Sequence, residues 1–160
     1  MKSSVIAATF LTVATFGLAA CGDSASQQPA AEPEGVPGLT ITNARMVLAP
    51  VDGNPAAVYF DLAYDGDRNV ALNRADVEGA SSATLHEYSE WNREMQMSEM
   101  QPLVLRKGDT VTFEPGGRHV MAMGVSPELQ PGGTTEVTLT VSGGDKTTFE
   151  AEIRGPGEER

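Results

Sequence analysis

The chain has 160 residues, with 22 acidic against 11 basic side chains, a formal charge of −11, and a 40% hydrophobic content that includes only 6% aromatics. That length suits one ordinary domain rather than two, and the acidity argues against a nucleic-acid partner. A single cysteine rules out an internal disulfide or a thiolate metal cluster, so any metal chemistry must use other donors.

Met1, Lys2 and two serines precede an apolar run from Val5 to Ala20. The run is shorter than the roughly 18 to 20 residues expected of a membrane-spanning helix, so residues 1–20 are expected to be a secretory signal. It ends in Leu18-Ala19-Ala20-Cys21, which resembles the lipobox of bacterial lipoproteins. The resemblance implies cleavage before Cys21, lipidation of that thiol, and a periplasmic protein anchored to a membrane. Gly22, where an Asp would favour the inner membrane, leans toward the outer membrane in a Gram-negative cell. Cleavage removes Lys2 and no acid, leaving 10 basic against 22 acidic residues and a charge of −12.

Residues 21–38 hold prolines, glycines and small polar side chains with almost nothing to bury, and are expected to be a flexible tether. From Leu39 the pattern changes to short alternating or β-branched segments: Thr40 to Val47, Ala57 to Tyr64, Val70 to Val77, Ala83 to Tyr88, Met95 to Leu105, Thr110 to Glu114, His119 to Val125, Glu136 to Val141 and Lys146 to Ile153. Turn signals such as Lys107-Gly108-Asp109, Pro115-Gly116-Gly117 and Ser142-Gly143-Gly144-Asp145 separate them. Short strands so punctuated predict an all-β domain over residues 39–154, a sandwich or small barrel of antiparallel strands. Residues 155–160 are expected to form a disordered tail.

Beyond the signal there are two histidines, His86 and His119, and six methionines, five of them between Met95 and Met123. Met95 and Met97 share one side of a strand in a charged segment where core packing would favour Val, Ile or Leu. His119 follows a Pro-Gly-Gly turn, which sets it at the start of a strand near the rim, with Met121 on the same face. His86 is expected near a strand end too, ahead of the loop Ser89 to Glu94. Thioethers are neutral, polarisable donors that favour Cu(I) over hard ions, and imidazole suits copper in either oxidation state, so a His/Met set selects copper.

In order, His86, ten residues, Met97, twenty-one residues, His119, one residue and Met121 reproduce the H-x10-M-x21-H-x-M pattern of the periplasmic copper chaperones of the PCuAC family. Leu85-His86-Glu87, the Met95/Met97 pair, the run Pro115 to Gly124 and "NPAAVYFDL" also resemble that family, over about Leu39 to Ile153. The resemblance implies a cupredoxin-like Greek-key β-sandwich that is monomeric, not an enzyme, and binds one Cu(I) through His86, Met97, His119 and Met121. It further implies delivery to a copper-accepting membrane protein, such as a terminal oxidase subunit, or to another copper chaperone. Met95, Met100 and Met123 fall outside the pattern, with packing or supporting roles expected for each, Met95 and Met123 beside the ligands. Arg93-Glu94 stands where members often have Gly-Val, and the His/Met-rich tail of some members is absent, so no second site is expected.

Three rivals compete. A blue-copper electron carrier fails for want of a cysteine ligand, since Cys21 is committed to the anchor. A metal-free structural or adhesive Ig-like lipoprotein predicts that His86 and His119 lie far apart. A copper-buffering or resistance protein would use the same site without a dedicated recipient.

Overall fold

The computed structural model describes residues 35–158. The signal, Cys21, most of the tether and the last two residues lie outside them. Among the described residues the regular elements are ten strands: β1 Leu39–Val47, β2 Ala56–Tyr64, β3 Val70–Val77, β4 Ser82–Trp91, β5 Glu94–Glu99, β6 Leu103–Leu105, β7 Asp109–Phe113, β8 His119–Met123, β9 Thr134–Val141 and β10 Lys146–Arg154.

Hydrogen-bonded neighbours run β5-β4-β8-β2-β1-β10-β9-β3-β6, with β7 also on β2. The ladder can turn a corner because β2 changes partner along its length. Ala56 to Val58 pair with β8, whereas Phe60 to Tyr64 pair with β7. One pairing, β1 with β10, is parallel, which a simple meander would not contain. The all-β expectation therefore holds, with one parallel pair where only antiparallel strands were expected.

Alternation determines which side of each strand is buried. In β2, Val58, Phe60 and Leu62 point inward; in β8, Val120 and Ala122 do; in β9, Val137, Leu139 and Val141 do. Phe60 stacks on Phe113 at 4.2 Å and meets the edge of Phe149 at 5.3 Å. Packing starts earlier than Leu39, because Val36 is buried and its N–H donates to Thr147 Oγ1 at 2.7 Å. At the other end, Gly155 is also buried, its N–H donating to Glu158 Oε2 at 2.7 Å.

Two segment expectations need correction. Met95 to Leu105 is not one strand: it breaks into β5 and β6 at Met100-Gln101-Pro102, where Met100 turns into the core and Pro102 lacks an N–H for a ladder bond. Nor does Ser89 to Glu94 form an open loop with His86 near its start. β4 continues to Trp91, so His86 is its fifth residue, and a two-residue turn at Asn92 (φ 54°) and Arg93 (φ 68°) reverses the chain into β5. Two consecutive left-handed residues define the tight turn whose twist suits a hairpin. The usual Asn-Gly signal is missing because Arg occupies the second position.

Candidate functional site

The site is built from the outward face of β5, β4, β8 and β2. Facing residues in an antiparallel ladder share a side, and the registers are His86↔His119, Thr84↔Met121 and Tyr88↔Met97. Val120 and Ala122, between the outward residues of β8, anchor that strand in the core. His86 and His119 are thus direct cross-strand neighbours, with ring centroids 5.9 Å apart.

An open cavity of about 440 Å³ lies over this face, lined by Met97, His119 and Met121 together with Tyr59 and Tyr88. Its far wall is apolar, from the β1–β2 connection around Leu48 and Pro50. His86 does not line the cavity; it neighbours His119, which does. Met97 is 42% exposed, Met121 half-buried and His119 only 5% exposed, so access comes from the Met97 side. Met95 and Met123 share the face but do not line the cavity, and are 62% and 43% exposed. Met100 and Met46 are buried core residues.

The two imidazoles differ in their surroundings. The Nδ1–H of His119 donates to the Gly117 carbonyl at 3.2 Å; a carbonyl only accepts, so the proton sits on Nδ1 and the Nε2 lone pair stays free. Burial lowers the His119 pKa, the nearby His86 lowers it further, and the Gly117 hydrogen bond opposes both. The neutral imidazole, the only form that binds a metal, is thereby favoured. On His86, Nδ1 is sealed from solvent and has no hydrogen-bond partner. Such an atom costs about 1–3 kcal/mol unless something satisfies it, and a metal ion would.

Rings confine the imidazole of His119. Tyr88 is 5.8 Å and Tyr59 6.3 Å from it between centroids. Arg45 lies over the Tyr59 ring, 5.3 Å from its centroid. Sequence reasoning missed these tyrosines: period-two alternation puts Tyr88 on the His86 face, but only the β2–β8 pairing brings Tyr59 near His119. Among the described residues no three His, Cys, Asp or Glu side chains gather closely enough to hold a metal. The soft side chains at this face include the imidazoles of His86 and His119 and the thioethers of Met97 and Met121.

Comparison with known proteins gives a consistent picture. Residues 39–153 match the LpqE-like family model, described as a lipoprotein family. A relative named as a lipoprotein, Lxx21020 of Leifsonia xyli subsp. xyli, is 27% identical over 154 residues, covering 94% of this chain and 90% of its own. Among solved structures, the Cu(I) form of DR1885 from Deinococcus radiodurans is 25% identical with a TM-score of 0.58, covering 80% of this chain and 85% of that one. The apo PCuAC domain of PmoF1 is also 25% identical, with a TM-score of 0.60 over 74% of this chain and 95% of its own. The copper-bound PCuAC domain of PmoF2, 23% identical with a TM-score of 0.60 over 76% and 97%, shares the fold.

Proposed function

The chain belongs to the LpqE-like lipoprotein family, and from that premise we propose that it is an extracytoplasmic copper chaperone. It takes one Cu(I) as cargo, holds it through His86, Met97, His119 and Met121, and passes it to a copper centre, with a membrane-bound cytochrome oxidase as the favoured recipient. The observation that carries this reading is the His86↔His119 register pair beside a cavity lined by Met97 and Met121. The metal-free adhesive alternative required separated histidines.

Each part of the site has a task. Gly117 fixes the tautomer of His119, burial holds that ring neutral, and the tyrosines limit its rotation. The two thioethers supply soft donors that need no deprotonation and cannot be lost to a disulfide. Exposure of Met97 lets an incoming donor approach before the outgoing one leaves, whereas a sealed four-ligand site would retain its ion. The function requires no catalysis. Lipidation at Cys21 and the tether following it would keep a monomeric domain close to the membrane and raise its effective concentration there.

Competition against a chromophoric Cu(I) chelator tests the proposal. One equivalent of Cu(I) should bind, more weakly at low pH. An affinity indifferent to pH, or unchanged when both Met97 and Met121 are replaced by Leu, would refute the ligand assignment.

A further inference from the structure

Every residue from Tyr88 to Glu99 is exposed, so the outer half of β4 and all of β5 project from the body as a two-stranded arm. β5 ends the sheet, leaving one side of its backbone without a strand neighbour among the described residues. Scattered exposed apolar residues are ordinary, but this short arm concentrates four: Tyr88 at 41%, Trp91 at 66%, Met95 and Met97. Tyr88 and Met97 line the cavity, whereas Trp91 and Met95 belong neither to it nor to the core. Trp91 ends β4 beside the turn and is 66% exposed, outside the core.

Charge narrows what could cover the arm. It carries Glu90, Glu94 and Glu99 against Arg93 alone, and at its base Arg118 is engaged by Glu87 at 3.6 Å. A second copy adding β5 to β5 along its whole length would set glutamate against glutamate: Glu94 opposite Glu99 when antiparallel, Glu94 opposite Glu94 when parallel and in register. Like charges so placed are destabilising. An anionic lipid surface would be repelled for the same reason. A protein with a basic rim around an apolar contact gains from both features of the arm.

We propose that the β4–β5 arm is the surface on which the copper-accepting protein docks, and that this acceptor is positively charged around its contact. The proposal rests on the chaperone reading and adds the partner's chemistry and the place where it binds. Docking there would touch the strand that carries Met97, so recognition and the release of a ligand would occur on one element.

The test uses the full chain loaded with Cu(I) and two synthetic acceptor peptides. Both contain the same Met/His donor core with matched Cu(I) affinity, one flanked by lysines and one by glutamates, and transfer is followed by stopped flow. At low salt the lysine peptide should receive copper about 10- to 100-fold faster, and the advantage should collapse at about 0.5 M salt. Glu90→Lys with Glu94→Lys should reverse the preference, and Trp91→Ala should slow transfer to both peptides, each with Cu(I) affinity unchanged. Transfer rates blind to peptide charge, or to the double reversal, overturn the proposal. So does salt-resistant self-association through β5, or sedimentation of the chain with phosphatidylserine vesicles that Trp91→Ala abolishes. Failure to load Cu(I) overturns the chaperone reading itself, whereas loading followed by charge-blind transfer overturns the docking surface alone.

Discussion

Val120 and Met121 are adjacent in β8 and should respond to substitution in opposite ways. Val120 is fully buried, pairing with Val58 on one side and Leu85 on the other, while Met121 faces the cavity. Val120→Ala removes two methyl-sized groups from water-free surroundings, about 1.6 kcal/mol at ~0.8 kcal/mol per carbon. A residual cavity adds roughly 1 kcal/mol, for a total of about 2–3 kcal/mol. For a domain of this size that is a fall in Tm of roughly 8–15 °C. Cu(I) affinity should stay within about threefold, because no cavity-facing atom is lost. Met121→Leu nearly conserves volume and should cost under ~1.5 kcal/mol of stability. It deletes one of four donors, however. If binding is of the order of 10–16 kcal/mol, as in structural metal peptides, one donor accounts for about 2.5–4 kcal/mol and its loss lowers affinity on the order of a hundredfold or more. Urea denaturation of the apo-protein and chelator competition measure the two effects separately. Equal loss of copper affinity in both variants, or none in Met121→Leu, would refute the division of labour between the two faces.

Other expectations follow from the same geometry. Met97→Leu should weaken Cu(I) binding on a scale comparable to Met121→Leu, whereas Met95→Leu should leave the equilibrium affinity within about threefold, since Met95 does not reach the cavity; chelator competition separates them. His119 has a lowered pKa in the folded protein, so the unfolded chain binds the proton more readily. Its contribution to stability is fully present above the unfolded histidine value of ~6.5 and is lost as pH falls through the lower folded value. Apo-protein Tm should therefore drop between pH 7 and pH 5 by more in the native chain than in His119→Gln, as read by calorimetry. Cu(I) affinity should also fall once pH drops through the lowered folded value of His119, because protonation of that ring competes with the metal. Arg93 adopts a left-handed conformation that costs a non-glycine side chain about 1 kcal/mol, so Arg93→Gly should tighten the turn and slow amide hydrogen exchange in β5.

Local pattern made the strands legible. Val70 to Val77 begins and ends where alternation indicated, and Pro-Gly-Gly before His119 marked the start of β8. Where the reading failed, the cause was local chemistry that did not announce itself. Asn92-Arg93 makes a tight turn without glycine, so the β4–β5 hairpin resembled a loop; Met100 turns inward beside Pro102, so one apparent strand was two.

The sequence by itself determined the donor inventory and the face of each donor. Cysteine is confined to position 21, soft side chains gather between His86 and Met123, and the period of two sets His119 with Met121 and Met95 with Met97. It could not determine which strands become neighbours, because pairing depends on how the whole ladder closes around Phe60 and its partners. Only the tertiary structure decided that β4 lies against β8 in the register that puts His86 beside His119. It also decided that tyrosines from β2 and β4 enclose one imidazole, and that burial keeps that ring neutral. Burial and cross-strand contact belong to the assembled sheet, so no local run of residues can specify them.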